Sequence, residues 1–232
     1  MPRDVGVVVV AAGRGERMGG DVPKQFLPIG GVPMLLRTLR PFLAHPDLHT
    51  AIVVLAPELA SSPPPWLGEL AGGTLRLVSG GAARMDSVEA GLGALPSACQ
   101  IVLVHDGARP FPSAGVIDAV IAEARHGRGA IAAVPLADTL KEAEDSTEAR
   151  PPIRRTVPRA GLWRAQTPQG FPRALLERAM ADARRNRVLG TDEASLVERL
   201  GGQVVLVPDS SLNLKVTTRD DLLLAEALAA ER

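Results

Sequence analysis

Short apolar runs rich in valine, isoleucine and leucine recur along this chain and constrain its fold more than any other feature. The first run is unbroken over residues 5–10, as expected of a strand that is covered on both faces of a parallel sheet. Comparable runs follow at residues 51–55, 75–78, 101–104, 130–134 and 204–207. The sequence therefore predicts six buried strands.

Segments with a helical spacing of apolar residues separate these runs. The apolar faces consist of Met34, Leu35, Leu39 and Phe42, then Val88, Leu92 and Leu95, and then Val116, Ile117, Val120 and Ile121. A capping box, Thr218 with Asp221, indicates the start of the last helix. Alternation of strands and helices predicts an α/β fold, a three-layer sandwich around a mostly parallel, Rossmann-like sheet.

The composition excludes several classes of protein. Its 26 basic and 26 acidic residues balance, which gives no indication of a nucleic-acid partner. The longest apolar run, residues 5–12, is far shorter than the roughly 18 residues that a membrane span needs. A single cysteine, Cys99, rules out an internal disulfide framework and fits a reducing compartment. We expect a cytoplasmic protein with one domain over residues 1–232, no membrane contact and no nucleic-acid partner.

Residues 136–158 interrupt the alternation of strands and helices. The segment is charged, has little periodicity and contains Pro151 and Pro152. Because irregular segments of this length are uncommon unless they serve a function, we interpret it as an arm that projects from the sandwich, toward a partner chain. Residues 61–65, with three consecutive prolines, predict an ordinary stiff connection.

A glycine-rich turn follows the first predicted strand directly. It reads Ala-Ala-Gly-x-Gly-x-Arg-Met from Ala11 to Met18, and Pro-Lys-Gln around Lys24 comes next. Such a turn exposes backbone N–H groups to phosphate oxygens at the sheet edge where ligands collect. The dinucleotide fingerprint fails because Met18 occupies its third glycine position, and the P-loop fails because Gln25 follows Lys24.

This turn resembles that of nucleotidyltransferases that activate small phosphorylated alcohols. Within that group, the chain is similar to the 2-C-methyl-D-erythritol 4-phosphate cytidylyltransferase family of the non-mevalonate isoprenoid pathway. The resemblance implies that Ala11, Ala12 and Gly13 hold the base and ribose of CTP. It also implies that Arg17 and Lys24 stabilise the transition state, since cations there neutralise charge that develops on a triphosphate.

Two further segments follow in the family's order. The first, Ser-Gly-Gly-Ala-Ala-Arg-Met-Asp-Ser, is by itself most simply a glycine turn and helix cap, but the family's counterparts of Gly81 and Ser87 contact the nucleotide. The second, His-Asp-Gly-Ala-Arg-Pro, ends a predicted strand and places Arg109 among the implied substrate-binding residues. Asp106 is our candidate ligand for Mg²⁺, which prefers carboxylate and phosphate oxygens. His105 could also be a ligand, but a packed, hydrogen-bonded histidine is the stronger prediction.

The remaining resemblance concerns the second substrate. Thr-Val-Pro-Arg-Ala-Gly-Leu-Trp-Arg-Ala-Gln-Thr-Pro-Gln includes Arg159, whose family counterpart grips the substrate phosphate, and Thr167. A guanidinium suits this task because it binds phosphate oxygens in a bidentate manner. Lys215, in the closing motif, and Thr139, on the arm, are implied to bind the same substrate. The family's arm crosses to a two-fold partner, so a homodimer with exchanged arms is implied.

The activity that this resemblance implies is transfer of a cytidylyl group from CTP to 2-C-methyl-D-erythritol 4-phosphate. Two alternatives stay open: a cytidylyltransferase for another polyol phosphate such as ribitol 5-phosphate, and a nucleotide-binding regulatory module without turnover. A dinucleotide-dependent reductase fails on the glycine spacing.

Overall fold

The computed structural model describes residues 3–13, 22–145 and 147–231, so the catalytic candidate Arg17 lies outside the described residues. The strands are β1 Val5–Ala11, β2 Pro28–Ile29, β3 Val32–Pro33, β4 Leu48–Leu55, β5 Leu75–Ser79, β6 Ile101–Asp106, β7 Gly129–Pro135, β8 Leu140–Ala143, β9 Ile153–Val157, β10 Trp163–Pro172 and β11 Val204–Pro208. The helices are α1 Met34–Leu43, α2 Pro57–Ser61, α3 Pro65–Leu70, α4 Arg84–Ala94, α5 Ala114–Arg125, α6 Arg173–Arg185, α7 Glu193–Arg199 and α8 Arg219–Ala230. A 3-10 turn covers Lys24–Phe26.

Seven strands form the central sheet in the order β11-β7-β10-β6-β1-β4-β5. The pairs β1–β4, β1–β6, β4–β5 and β7–β11 are parallel, whereas β10 runs antiparallel to both β6 and β7. All six apolar runs lie in this sheet, which confirms the prediction of a mostly parallel sheet. The seventh strand, β10, was not predicted.

Helices cover both faces of the sheet and complete the three layers. Along β1, Val7 and Val9 pack into one apolar cluster with residues of α1, α3 and α5. Val8 points to the other face and packs with residues of α4, α6 and α7. The three predicted helical faces are buried, so the period of the apolar residues identified the core side of each helix.

The predicted arm contains a β-hairpin with a sheet of its own. Strand β8 pairs antiparallel with β9, and neither pairs with the seven-stranded sheet. Most of the hairpin's side chains are exposed, and ion pairs from Glu142 to Arg154 and Arg155 link its strands. Both Thr139 and Arg159 are exposed at the base of the hairpin.

The predicted start of the last helix agrees with the structure. Thr218 accepts a hydrogen bond from Asp221 N, and Asp221 accepts one from Thr218 N, which confirms the capping box ahead of α8.

The stiff connection predicted for residues 61–65 is shorter in the structure, since Ser61 ends α2 and Pro65 begins α3. Across the described ranges, no helix is both long and apolar enough to span a membrane.

Candidate functional site

The carboxyl ends of β1, β4, β5 and β6 open into a cleft of about 880 Å³. Ligands of open α/β sheets bind at this edge, because helices cover both faces of such a sheet and the strand ends remain accessible. The cleft lining includes the predicted site residues Ala11, Ala12, Gly13, Lys24, Gly81, Ser87, Asp106 and Lys215. Segments that lie far apart in the sequence therefore meet at one site.

Two consecutive glycines bring the segment after β5 close to the end of β1. A Cβ atom on Gly80 would lie 2.6 Å from Ser87 Oγ and 2.8 Å from Ala12 Cβ. A Cβ on Gly81 would collide with Asp86. Only glycine fits at both positions, so the two loops can present backbone atoms to the same ligand.

Asp106 lies at the end of β6 and is surrounded by cations. Its carboxylate oxygens are 2.9 Å from Lys215 Nζ, 3.6 Å from an Arg84 Nη atom and 3.6 Å from Arg109 Nε. Burial alone would raise the pKa of Asp106, but the charges of Lys215, Arg84 and Arg109 lower this pKa to about 2. The group is therefore a carboxylate at any pH near neutrality.

The donor set around Asp106 fits a magnesium ion only when phosphate is also present. Among the described residues, no group of three or more histidine, cysteine, aspartate or glutamate side chains converges on one point. Mg²⁺ commonly takes one or two carboxylates and completes its shell with phosphate oxygens and water. The neighbouring cations would repel a lone divalent ion, whereas a triphosphate would offset that repulsion.

His105 is the residue before Asp106 and is completely buried. Its Nε2 lies 3.1 Å from Arg109 O, its Nδ1 lies 3.0 Å from Thr167 Oγ1, and its ring packs on Phe42 with centroids 4.9 Å apart. Burial lowers the pKa of His105 to about 4, so the ring is neutral. The prediction of a packed, hydrogen-bonded histidine is confirmed.

Backbone hydrogen bonds attach the loop after β6 to its neighbours. Gly107 N donates to Val10 O at 2.9 Å, and a Cβ on Gly107 would lie 2.9 Å from that of Ala11. Val216 N donates to Ala108 O at 2.8 Å. Because Lys215 directly precedes Val216, the second bond brings the Lys215 ammonium group to Asp106.

Arg84 and Glu193 form an ion pair at the site that the sequence analysis did not predict. Arg84 Nη1 and Nη2 donate to Glu193 Oε1 and Oε2 at 2.5 and 3.0 Å, and Glu193 is 2% exposed. Burial raises the pKa of Glu193, and the positive charge of Arg84 opposes that rise. A bidentate pair holds the guanidinium plane rigidly, so Glu193 fixes the position of Arg84 beside Asp106.

Arg84 lies three residues after the glycine pair, in a segment that the sequence analysis singled out. Glu193 is the first residue of α7, and Asp192 caps that helix, because Asp192 Oδ1 accepts from Ser195 N at 3.0 Å. A signal for the ion pair was absent, since the partners are 109 residues apart.

Replacing Glu193 by glutamine is expected to lower the free energy of unfolding by about 3 kcal/mol, because it leaves a partly buried Arg84 without its main counter-charge. Urea unfolding of the wild type and the variant measures this change. The matched control is Glu177→Gln, which removes an exposed pair with Arg173 and should cost less than about 1 kcal/mol. Equal losses in the two variants would contradict the structural role of Glu193.

The other described site residues fall into two groups, of which Arg109 and Thr167 lie next to Asp106, whereas Thr139 and Arg159 lie on the arm. Arg109 is largely buried, and its Nη1 donates to Asn213 O at 2.8 Å. Thr167 on β10 is 4% exposed and lies behind Asp106, whose backbone N donates to its hydroxyl at 3.1 Å. Thr139 and Arg159 belong to the arm and do not line the cleft of their own chain.

Comparison of the whole chain with known proteins points to one family. The model of the family IspD, 2-C-methyl-D-erythritol 4-phosphate cytidylyltransferase, matches residues 5–231. A relative of that name from Shouchella clausii is 41% identical over 226 residues, covering 97% of this chain and 96% of the relative. The bifunctional enzyme IspD/IspF of Rhodospirillum rubrum is 45% identical over 229 residues, covering 97% of this chain but 56% of that longer protein.

Solved structures agree with the sequence comparison. The crystal structure of 2-C-methyl-D-erythritol 4-phosphate cytidylyltransferase from Thermus thermophilus superimposes with a TM-score of 0.79 at 37% identity, covering 96% of this chain and 98% of that one. The 4-diphosphocytidyl-2C-methyl-D-erythritol synthase of Anaerococcus prevotii gives a TM-score of 0.83 at 28% identity, with 97% and 96% covered. The chain therefore belongs to the 2-C-methyl-D-erythritol 4-phosphate cytidylyltransferase family.

Proposed function

We propose that this chain, acting as one nucleotidyltransferase domain over residues 1–232, transfers a cytidylyl group from CTP to 2-C-methyl-D-erythritol 4-phosphate. The products are 4-diphosphocytidyl-2-C-methyl-D-erythritol and pyrophosphate, and the reaction serves isoprenoid precursor biosynthesis. The proposed location is the cytoplasm. One observation carries the proposal: an ionised Asp106, within 4 Å of three cationic side chains, lines the cleft at the carboxyl ends of the strands.

The chemistry needs no general base from the protein. An oxygen of the substrate phosphate attacks the α-phosphorus of CTP in line with the departing pyrophosphate, and a phosphate dianion is already a nucleophile at neutral pH. In agreement with this, His105 is neutral, buried and bonded to Thr167 and Arg109, so it is not available to take a proton in the cleft. Catalysis then consists of positioning the reactants and neutralising charge.

Cations from several segments provide the neutralisation. We assign Lys24 and Arg17 to the charge that develops on the α-phosphate and the leaving pyrophosphate. Ala11, Ala12, Gly13, Gly81 and Ser87 hold the cytidine part, with backbone groups from both glycine loops available for hydrogen bonds. Lys215 and Arg109 hold the second substrate beside Asp106, to which both are already paired.

Asp106 is the residue that would hold magnesium, together with phosphate oxygens of CTP. When bound, the ion would supply charge neutralisation on the triphosphate, which the side-chain cations supplement. The carboxylate keeps its negative charge for this task because its pKa lies at about 2.

The arm is assigned to a two-fold partner. Thr139 and Arg159 are exposed, lie outside the cleft of their own chain and flank a hairpin that does not pair with the central sheet. In a homodimer with exchanged arms, Arg159 would bind the substrate phosphate in the neighbouring cleft. The proposal thus explains why a phosphate-binding arginine is placed on a projecting element.

Pyrophosphate release tests the activity directly. The purified chain is incubated with Mg²⁺, each of the four ribonucleoside triphosphates, and either 2-C-methyl-D-erythritol 4-phosphate or ribitol 5-phosphate. Release that requires both CTP and the methylerythritol phosphate is expected. Equal turnover of ribitol 5-phosphate would instead support the other polyol, and binding without any release would indicate a regulatory module.

A further inference from the structure

The segment that carries Lys215 joins β11 to α8 over residues 209–218, and as the structure describes them these residues form neither a helix nor a strand. Strand pairing therefore cannot fix this closing segment, and other hydrogen bonds must do so. Toward its two ends, Asp209 N donates to Ala133 O at 2.9 Å and Val216 N donates to Ala108 O at 2.8 Å. Between these bonds, Asn213 is buried, with 1% exposure.

The orientation of the Asn213 amide follows from the groups that it faces. Its Nδ2 lies 2.8 Å from Thr167 O and 2.7 Å from Asp209 Oδ2. A carbonyl and a carboxylate only accept hydrogen bonds, so the nitrogen must face them, because the reversed amide would bring its oxygen against two oxygens. Asn213 therefore donates to both groups and connects the closing segment to β10.

Strand β10 offers the Thr167 carbonyl because its pairing is irregular at this point. Ala165 pairs with Ala133 of β7 and Gln169 pairs with Ile131, so residues 166–168 oppose a single residue of β7. The pairing of β10 with β6 begins only at Gln169. The closing segment is thus attached to the central sheet where the ladder of β10 is interrupted.

The main-chain carbonyl of Asn213 holds a cation of the site. Its oxygen accepts from Arg109 Nη1 at 2.8 Å and from Gln166 Nε2 at 3.1 Å. Two residues further along the chain, Lys215 Nζ lies 2.9 Å from Asp106 Oδ2, and Arg109 Nε lies 3.6 Å from the same oxygen. A shift of the Asn213 backbone would therefore displace both cations together.

We infer that Asn213 is a positioning residue for the second substrate, which anchors the closing segment to β10 and so sets the places of Arg109 and Lys215. The inference rests on the proposed function, which assigns these two cations to the polyol phosphate. Gly13 and Gly81, assigned to the cytidine part, follow β1 and β5, which lie beyond β6 in the strand order. The effect of Asn213 should therefore be confined to the second substrate.

Steady-state kinetics of Asn213→Ala test this role. The KM for the polyol phosphate should rise about tenfold, because displaced cations hold its phosphate less well. We expect kcat at saturation to stay within about threefold, and the KM for CTP within about twofold, of the wild-type values. An equal rise in both KM values, or no rise in either, would overturn the inference.

Two changes at Asp209 test the same anchor without emptying the buried position. Asp209→Ala removes one of the two acceptors of Asn213, and we expect the KM for the polyol phosphate to rise about threefold. Asp209→Asn keeps an oxygen that can accept, so it should restore the wild-type KM. An asparagine variant as impaired as the alanine variant would assign the effect to the charge of Asp209 and refute the anchoring role.

Asn186→Ala is the matched control. Asn186 Nδ2 also donates to a main-chain carbonyl and a carboxylate, Asp182 O at 2.9 Å and Asp182 Oδ1 at 3.0 Å, but at the exposed end of α6, outside the cleft. Its kinetic constants should equal those of the wild type. A rise in the KM for the polyol phosphate as large as that of Asn213→Ala would contradict a specific role for Asn213.

Binding measured without turnover separates this inference from the proposed function. Wild-type and Asn213→Ala proteins are titrated calorimetrically with 2-C-methyl-D-erythritol 4-phosphate, in the presence of Mg²⁺ and α,β-methylene CTP, which cannot release pyrophosphate. We expect the variant to bind the polyol phosphate about tenfold more weakly, and equal affinities would refute the inference. Wild-type protein that binds the polyol phosphate but releases no pyrophosphate from CTP would defeat the proposed function alone. Wild-type protein that does not bind it would overturn both.

Discussion

Asp106→Asn lowers kcat by about a hundredfold and abolishes most of the response to Mg²⁺; this is the result we expect from removing one charge at the centre of the site. A loss of roughly 3 kcal/mol in transition-state stabilisation corresponds to that factor. Asparagine is nearly isosteric with aspartate but binds magnesium poorly. The two cations assigned to the triphosphate, Lys24 and Arg17, are unchanged in this variant, so the KM for CTP should not rise.

Rate measurements over a Mg²⁺ titration decide this prediction, with CTP and the polyol phosphate both saturating. Asp118→Asn is the matched control, because that carboxylate pairs with His45 at the surface, away from the cleft. The control should show wild-type kinetics. An Asp106→Asn enzyme with an unchanged rate and an unchanged magnesium requirement would show that the ion is held elsewhere.

A mixture of two inactive variants should recover activity if the arm serves the neighbouring chain. Lys24→Ala damages the cleft and Arg159→Ala damages the arm. In a mixed dimer with exchanged arms, one site carries both lesions and the other carries neither. Random pairing makes about half of the dimers mixed, so activity should return to roughly a quarter of the wild-type value.

The control for this experiment is a mixture of Lys24→Ala with Lys215→Ala. Both lesions affect the cleft of their own chain, so every site in the mixed dimers is damaged and no recovery is expected. Subunit exchange is verified independently with differently tagged chains. If the Lys24→Ala and Arg159→Ala chains exchange and the mixture stays inactive, Arg159 acts within its own chain. The proposal that each site is shared between two subunits is then wrong.

Sequence periodicity predicted the frame of the fold because the buried parallel strands are almost purely apolar. Strand β10 escaped the same analysis because its centre reads Gln166, Thr167, Pro168 and Gln169, which has neither an apolar run nor alternation. These polar side chains are buried, and their partners lie far away in the sequence: Asn213 for Gln166, His105 for Thr167, and Asp192 for Gln169. Local patterns carry no information about such partners.

The hairpin of the arm escaped detection for a different reason. Most positions of strands β8 and β9 are exposed, so neither strand has a buried face. Without a buried face, apolar and polar residues need not alternate along a strand, and residues such as Glu142, Arg154 and Arg155 show no alternation. The motifs nevertheless predicted eight residues of the cleft lining, because short loops at strand ends keep such residues close together in the sequence. Arg84 and Glu193 were missed because a long-range ion pair leaves no local signature.

Because the hairpin forms a sheet of its own, selectivity for the acceptor alcohol can change separately from selectivity for the nucleotide. The glycine pair that lines the cleft directly follows β5 of the central sheet, where a Cβ atom at Gly80 would already clash. The hairpin makes no strand pairing with that sheet, so its sequence can vary without repacking the core. Under the proposed function, recognition of the acceptor alcohol is therefore partly modular. Exchanging the arm for one that recognises a different polyol phosphate would alter the choice of polyol and leave the choice of nucleotide intact.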